Sequence, residues 1–273
     1  MDKSRITAAI WTWGVESPAQ MEAAAKDITE IGYTAFESVK QAIYAYNLDL
    51  PAYRDVLDRH GIKPASFYFH LPGYGEEGQV FDSLERELKF VSALGVTRIC
   101  LQATAGHPGK LDADQLAFEL AVVEKFARMT KAYGITTNLH NHHNTWVMYG
   151  NEIDNILQNL GPDIISFAPD TAHLVAGLCN PVKVIKKYAD RVNFIHLKDI
   201  ENAAVKSDGI AAAGMEVYGN FCELGKGCVN FKKIFDILKS VKYDGPLCEE
   251  LDSAPISNKE SAKNNYDYIL NNY

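Results

Sequence analysis

Along the chain, apolar runs rich in β-branched or aromatic residues return about every 30 positions, each followed by a loop and then a stretch whose apolar residues recur at helical spacing. Eight runs carry this strand signature: Ile6 to Trp11, Tyr33 to Ser38, Pro64 to His70, Thr97 to Gln102, Ile135 to His140, Ile164 to Pro169, Val192 to Leu197 and Pro246 to Leu251. The helices between them mark their own ends. Ser17, Pro18 and Gln20 read as an N-cap, a proline at the first helical position and a capping-box partner, and the helix they open runs to Gly32. Gly61, Gly95 and Gly134 close further helices, since glycine past the last turn readily takes the left-handed conformation that ends one.

Strands alternating with helices imply parallel strands joined by crossovers, and eight such units close into a barrel. The expected architecture is α/β, a single (β/α)8 TIM barrel spanning residues 1–273, with a doubly wound open sheet as the alternative. After the first run, WTWGVESP holds one glycine, so the glycine-rich dinucleotide fingerprint is absent. No shift in composition marks a second domain. One stretch departs from the rhythm: between Leu197 and Phe231 the chain is rich in Gly, Ala and Asn and includes SDGIAAAGMEVYGN. A loop of that length is a candidate cover that keeps water from a site.

With 47% hydrophobic and 23% charged residues the chain can bury a large core. A net charge of −8 disfavours nucleic acid and anionic membrane as partners, because binding a polyanion needs a surplus of Lys and Arg on one face. The N-terminal apolar run is too short and too aromatic for a secretory signal, and no run of about 18 apolar residues follows; the expectation is a cytoplasmic protein. Cys100, Cys179, Cys222, Cys228 and Cys248 form no C-x-x-C pair. They are expected to be reduced and mostly buried.

In a closed parallel barrel the C-terminal strand ends converge on one face, where catalytic groups sit. Here those ends carry Trp11 with Trp13, Glu37, His70, Gln102, His140 with His142, Asp170 with His173, His196 with Lys198 and Asp199, and Glu250 with Asp252. A lone histidine in such a place is more often a hydrogen-bonded structural residue. Four successive ends bearing His140, Asp170, His196 and Glu250 are another matter, since each charge at a rim must be paired, solvated or bound to metal. Two imidazoles and two carboxylates suit Mn2+, Co2+, Fe2+ or Zn2+ better than Ca2+. Whether Glu250 or its neighbour Glu249 faces inward is a period-2 question that the sequence leaves open. Trp11, Trp13, Tyr68 and Phe69 are candidate apolar faces for a sugar ring, with core packing as the plainer alternative.

The segments FAPDTAHLVAG, NFIHLKD, ELGKG and YDGPLCEEL resemble the xylose isomerase-like TIM-barrel superfamily of sugar isomerases, epimerases and dehydratases, and the resemblance covers essentially the whole chain. Within it, LHNHHNT followed by PDTAHLVAG is similar to the inosose dehydratases, and LHNH also to a branch acting on keto-glycosides. The resemblance implies a divalent metal, manganese above the alternatives Co2+, Fe2+, Mg2+ and Zn2+, held by His140, Asp170, His196 and Glu250. The last is chosen because it stands five residues after Gly245. His173 and Lys198 match substrate-contacting positions, and Glu37 matches a strand-two glutamate near the site. His70, Gln102 and Trp11 are pocket candidates by position.

Many epimerases and isomerases of this superfamily carry glutamate where this chain has His140, as one of two opposed acid/base groups. With Glu250 alone left of that pair, elimination gains ground: one base removes the proton α to a carbonyl, and His142, His143, Lys198 or the metal helps the β-hydroxyl leave. His143 has a plainer alternative as a solvated loop residue. The expected function is metal-dependent enolisation of a small keto-sugar or keto-cyclitol ending in elimination. The alternatives are an epimerase or isomerase using the same enolate, and a non-catalytic sugar-binding barrel. A metal-dependent endonuclease on a similar barrel is disfavoured by the acidic balance. The sequence leaves homo-oligomerisation open.

Overall fold

A computed structural model of the protein describes residues 2–201 and 219–273, so most of SDGIAAAGMEVYGN lies outside the described residues. Each of the eight apolar runs supplies one strand of a single parallel sheet: β1 Ile6–Ala9, β2 Ala35–Val39, β3 Lys63–His70, β4 Arg98–Gln102, β5 Thr136–His140, β6 Ile165–Ala168, β7 Ile195–Leu197 and, last in the chain, Leu247–Glu249. Between the last two lies an antiparallel pair, β8 Asp199–Ile200 and β9 Phe221–Cys222, which makes Leu247–Glu249 β10.

The strand order β6-β5-β4-β3-β2-β1-β10-β7 brings β6 and β7 together at the seam. There the closure consists of two parallel bridges, Phe167 with Val192 and Asp170 with His196, rather than a continuous ladder. The molecule is therefore a nearly closed (β/α)8 barrel with helices around it. Its interior is plugged by Ala9, Tyr68, Cys100, Ala168, Phe194 and Cys248. Four of these are small, which leaves room inside the barrel for polar groups above and among them.

The helix Pro18–Ile31 is capped as the sequence predicts by Ser17, whose Oγ accepts the Gln20 N–H at 3.3 Å, and ends on left-handed Gly32. Gln20 departs from a standard capping box: its side-chain oxygen accepts the Glu16 N–H at 2.9 Å. Pro64 has a consequence inside the sheet. Pairing of β2 with β3 runs Phe36 to Pro64 and then Glu37 to Ser66, so Ala65 is an extra residue and the register shifts. A bulge of this kind re-aims the neighbouring side chains. Cys100 and Cys248 are buried as expected, but Cys179 and Cys222 are half-buried and Cys228 is exposed; all five are free thiols. Among the described residues no helix is long and apolar enough to cross a membrane.

Helix Ala113–Lys131 buries Glu119, whose Oε1 accepts the Thr104 N–H at 3.1 Å. Burial pushes this carboxyl up to about 7, with the Thr104 hydrogen bonds opposing. The folded state thus holds the proton more tightly than the unfolded chain, so this contribution to stability is full below the ordinary carboxylate range and is lost as pH rises towards 7. Glu119→Gln keeps an oxygen for Thr104 and removes the buried charge. It is expected to raise unfolding free energy by about 2 kcal/mol at pH 8 and by little at pH 4; urea titrations at both pH values check this, and equal effects at both would contradict it.

Candidate metal centre and active site

The upper barrel rim gathers the strand-end groups by register. His140 ends β5 level with Gln102 of β4 and Ala168 of β6, and His196 sits in β7 level with Cys248 of β10. Asp170 reaches this point because the bridge to His196 carries the β6 segment on past Ala168. The period-2 question is settled by the sheet. Glu250 lies against the site, whereas Glu249 turns outward and accepts from Asn265 Nδ2 at 2.8 Å.

His140, Asp170 and His196 are fully buried and Glu250 nearly so. Candidate ligand atoms of His140, Asp170 and His196 lie within 4.8 Å of one another, as do those of Asp170, His173 and Glu250. The His140 and His196 Nδ1 atoms are 2.9 Å apart. Glu250 Oε2 is 3.3 Å from His196 Nδ1 without hydrogen-bond alignment, and among the described residues no hydrogen-bond donor reaches Asp170 Oδ2. Asp170 Oδ1 caps the short helix Thr171–Ala176 by accepting the His173 N–H at 2.7 Å. One oxygen is thus anchored and the other left over. Buried carboxylate oxygens and imidazole nitrogens converging without enough donors form an electron-rich cradle, and an N/O donor set of this kind fits a divalent first-row cation.

The electrostatics run the same way. Burial pushes Asp170 well above the ordinary carboxylate range and the Glu250 charge adds to it. Burial also acts upward on Glu250, but Lys198 and His196 outweigh it and hold that carboxyl low. His196 is buried, yet the carboxylates of Glu37 and Glu250 bring it up to about 9. His140 and His173 are held well below the ordinary histidine value, first by burial and then by neighbouring imidazoles and Lys198.

Lys198 is buried beside this cradle, 2.8 Å from Glu250 Oε1 and 2.5 Å from Asp252 Oδ2, with its ammonium 4.3 Å from the Phe221 ring centroid. Burial alone would lower it, but Asp252 and Glu250 keep it charged. His173 Nδ1 accepts the His143 N–H at 3.2 Å, and its Nε2 lies 3.4 Å from Lys198 Nζ. His142 Nδ1 donates to the His143 carbonyl at 2.7 Å, which makes Nε2 its basic nitrogen. Burial and then Lys198 lower it to about 3.

A cavity of about 250 Å3 opens over these groups, lined by Trp11, Val39, Tyr68, Gln102, His142, Glu250 and Asp252. Tyr68 and Trp11 give it two aromatic walls, ring centroids 5.7 Å apart, and the Tyr68 hydroxyl donates to Gln102 Oε1 at 2.7 Å. Other candidates lie elsewhere. His70 is half-exposed, with Nε2 3.5 Å from Gln41 Nε2. Trp13 donates to Asp27 at 3.0 Å, and Phe69 packs on Phe126 in the core. His143, for which a solvated loop position was the plainer alternative, is 2% exposed, and its backbone N–H bonds to His173. Glu37 lies at 0% exposure against His196 and does not line the cavity. Asn141 went unnoticed in the sequence. Its side chain brackets Asp170, accepting the Asp170 N–H at 3.0 Å and donating to its carbonyl at 3.2 Å; its position directly after His140 was the available signal.

Asp199, ligand-competent by position, is a structural acceptor instead. Its two oxygens take the N–H groups of Ile200, Val229, Gly225 and Gly227 at 2.9 to 3.0 Å. This explains G-x-G: a Cβ on Gly227 would sit 2.4 Å from Asp199 Oδ1. Asp199→Ala strands several buried donors and is expected to cost about 3 kcal/mol or more of stability, with cation affinity of the folded fraction unchanged; chemical denaturation and metal titration check the two parts.

The family model described as xylose isomerase-like TIM barrel matches residues 25–271. An inosose dehydratase of Clostridium beijerinckii is 31% identical over 136 residues, 49% of this chain and 46% of that protein, so the match spans about half of that relative's length. That of Geobacillus kaustophilus is 25% identical over 255 residues, 84% of this chain and 79% of the relative. Among solved structures, L-ribulose 3-epimerase superposes with TM-score 0.78 at 18% identity, covering 98% of this chain and 94% of that one. The IolI protein with a bound zinc atom superposes with TM-score 0.77 at 15% identity, covering 97% of each.

Proposed function

Because the chain belongs to the xylose isomerase-like TIM-barrel family, we propose that it is a divalent-metal-dependent lyase that removes the proton α to the carbonyl of a small keto-sugar or keto-cyclitol and expels the β-hydroxyl as water. The observation that carries this reading is the convergence of His140, Asp170, His196 and Glu250 beside a cavity whose two carboxylates are paired with the buried Lys198. These four residues would hold the cation, with manganese the expected occupant. Bound there, it supplies Lewis-acid stabilisation of negative charge growing on the substrate carbonyl oxygen.

The chain's own groups complete the chemistry. Glu250, kept ionised by Lys198 and His196, is the base. Lys198 is the acid that protonates the leaving hydroxyl, and at 2.8 Å from Glu250 it recovers the abstracted proton directly, so the net change is loss of one water. His173, beside Lys198, would contact a substrate oxygen, and Trp11 and Tyr68 take the apolar face of the ring. Both carboxylates lining the cavity, Glu250 and Asp252, come from one strand end and share Lys198. That favours elimination over a two-carboxylate epimerisation. The names of two relatives by sequence, both inosose dehydratases, support elimination.

The test is product analysis after incubating Mn2+-loaded protein with inosose or a 3-keto-glucoside in deuterated water. Loss of water or of the aglycone is the expected outcome. A stereoisomer of unchanged formula carrying deuterium would overturn the lyase assignment and make His142 Nε2 the second base.

A further inference from the structure

Glu37 is a buried carboxylate that the chemistry above does not use, and its geometry gives it a task. The residue lies where the register between β2 and β3 shifts, with Ala65 the extra residue on β3. Its side chain is fully buried, where a carboxylate is costly unless a specific partner accepts its charge. That partner is His196: Glu37 Oε2 hydrogen-bonds to His196 Nε2, both side chains fully buried. The opposite ring nitrogen, Nδ1, faces His140 Nδ1 at 2.9 Å and Glu250 Oε2 at 3.3 Å. One imidazole thus has its two nitrogens assigned to two different jobs.

We infer that Glu37 is a positioning residue that fixes the tautomer and ring orientation of His196, holding the proton on Nε2 so that the Nδ1 lone pair is presented to the cation. The inference rests on the metal-centre reading and adds to it a residue that touches neither cation nor substrate. A carboxylate behind a ligating imidazole also raises that ring's basicity as a donor. Glu37 is absent from the cavity lining, and the KM for keto-sugar separates this role from a substrate contact.

Mn2+ alone is titrated into wild type, Glu37→Gln and Glu37→Asp by calorimetry or by loss of the free-ion EPR signal, with metal-free unfolding curves as the control for folding. Wild type is expected to bind one ion per chain. Glu37→Gln is expected to bind about 10- to 100-fold more weakly at the same stoichiometry, and Glu37→Asp, with the charge kept but withdrawn, to fall between; it carries the test if the glutamine variant does not fold. At saturating Mn2+ the KM for keto-sugar should match wild type. Affinities within twofold of wild type in a folded variant overturn the inference alone, as does a raised KM with unchanged Mn2+ affinity, which would make Glu37 a substrate contact. Failure of wild type to bind Mn2+ removes the metal-centre reading and this inference with it.

Discussion

Glu250→Gln is expected to lower kcat with a keto-sugar by about three orders of magnitude or more, because general-base catalysis alone contributes about 100- to 10,000-fold and the same change weakens a cation ligand. The folded state should survive. Lys198 keeps Asp252 at 2.5 Å, so its charge is not stranded when the Glu250 charge disappears. The substitution also changes side-chain volume little. Steady-state kinetics at saturating Mn2+ alongside thermal unfolding separate the two effects: activity lost with Tm within about 3 °C of wild type is the expected pair. A Tm lowered by many degrees with activity retained would make Glu250 structural.

Asp170→Asn carries the second large effect. Asp170 does two things at once: Oδ1 caps the helix Thr171–Ala176, and Oδ2 receives no hydrogen-bond donor among the described residues. Asparagine caps helices about as well as aspartate, so the cap and the Asn141 bracket on the backbone persist. The charge does not. Mn2+ affinity is expected to fall by more than about 100-fold, consistent with loss of a charged ligand from a mixed N/O site, while stability in the absence of metal stays the same or rises, since a buried carboxylate facing Glu250 has gone. Asp170→Ala, by contrast, should also cost about 1 kcal/mol for the cap. Equal Mn2+ binding by wild type and Asp170→Asn would remove Asp170 from the ligand set.

Much of this arrangement is legible in the chain because two periodicities coincide with it. Most barrel strands are short apolar runs ended by a polar residue, and four of the crossover helices are closed by glycine, at Gly32, Gly61, Gly95 and Gly134, so the eight strands can be located to within a few residues at their ends. His140, Asp170 and His196 follow from the strand ends without knowledge of packing, whereas Glu250 is separated from Glu249 only by the spacing after Gly245 that the resemblance supplies. What stays hidden depends on contacts between distant segments. Asp199 and Asp170 look alike as carboxylates after strands. One is consumed by four backbone N–H groups from residues 200, 225, 227 and 229, and the other keeps an oxygen for the site. Glu37 stands out in the sequence as a strand-end carboxylate, but its partner His196 is 159 residues away and no local pattern around Glu37 announces the pairing. The β8–β9 pair joins two residues on each side of a long intervening stretch, too short on either side to register as a strand. His143 is buried although its neighbours are polar, because loop closure over His173 sets its exposure rather than local hydropathy.

Crystals grown with Mn2+ and measured at the manganese absorption edge test the central claim most directly. One anomalous peak should lie within coordination distance, about 2.0 to 2.4 Å, of His140, Asp170, His196 and Glu250 together. A peak against other groups, or none at saturating Mn2+, would contradict the account.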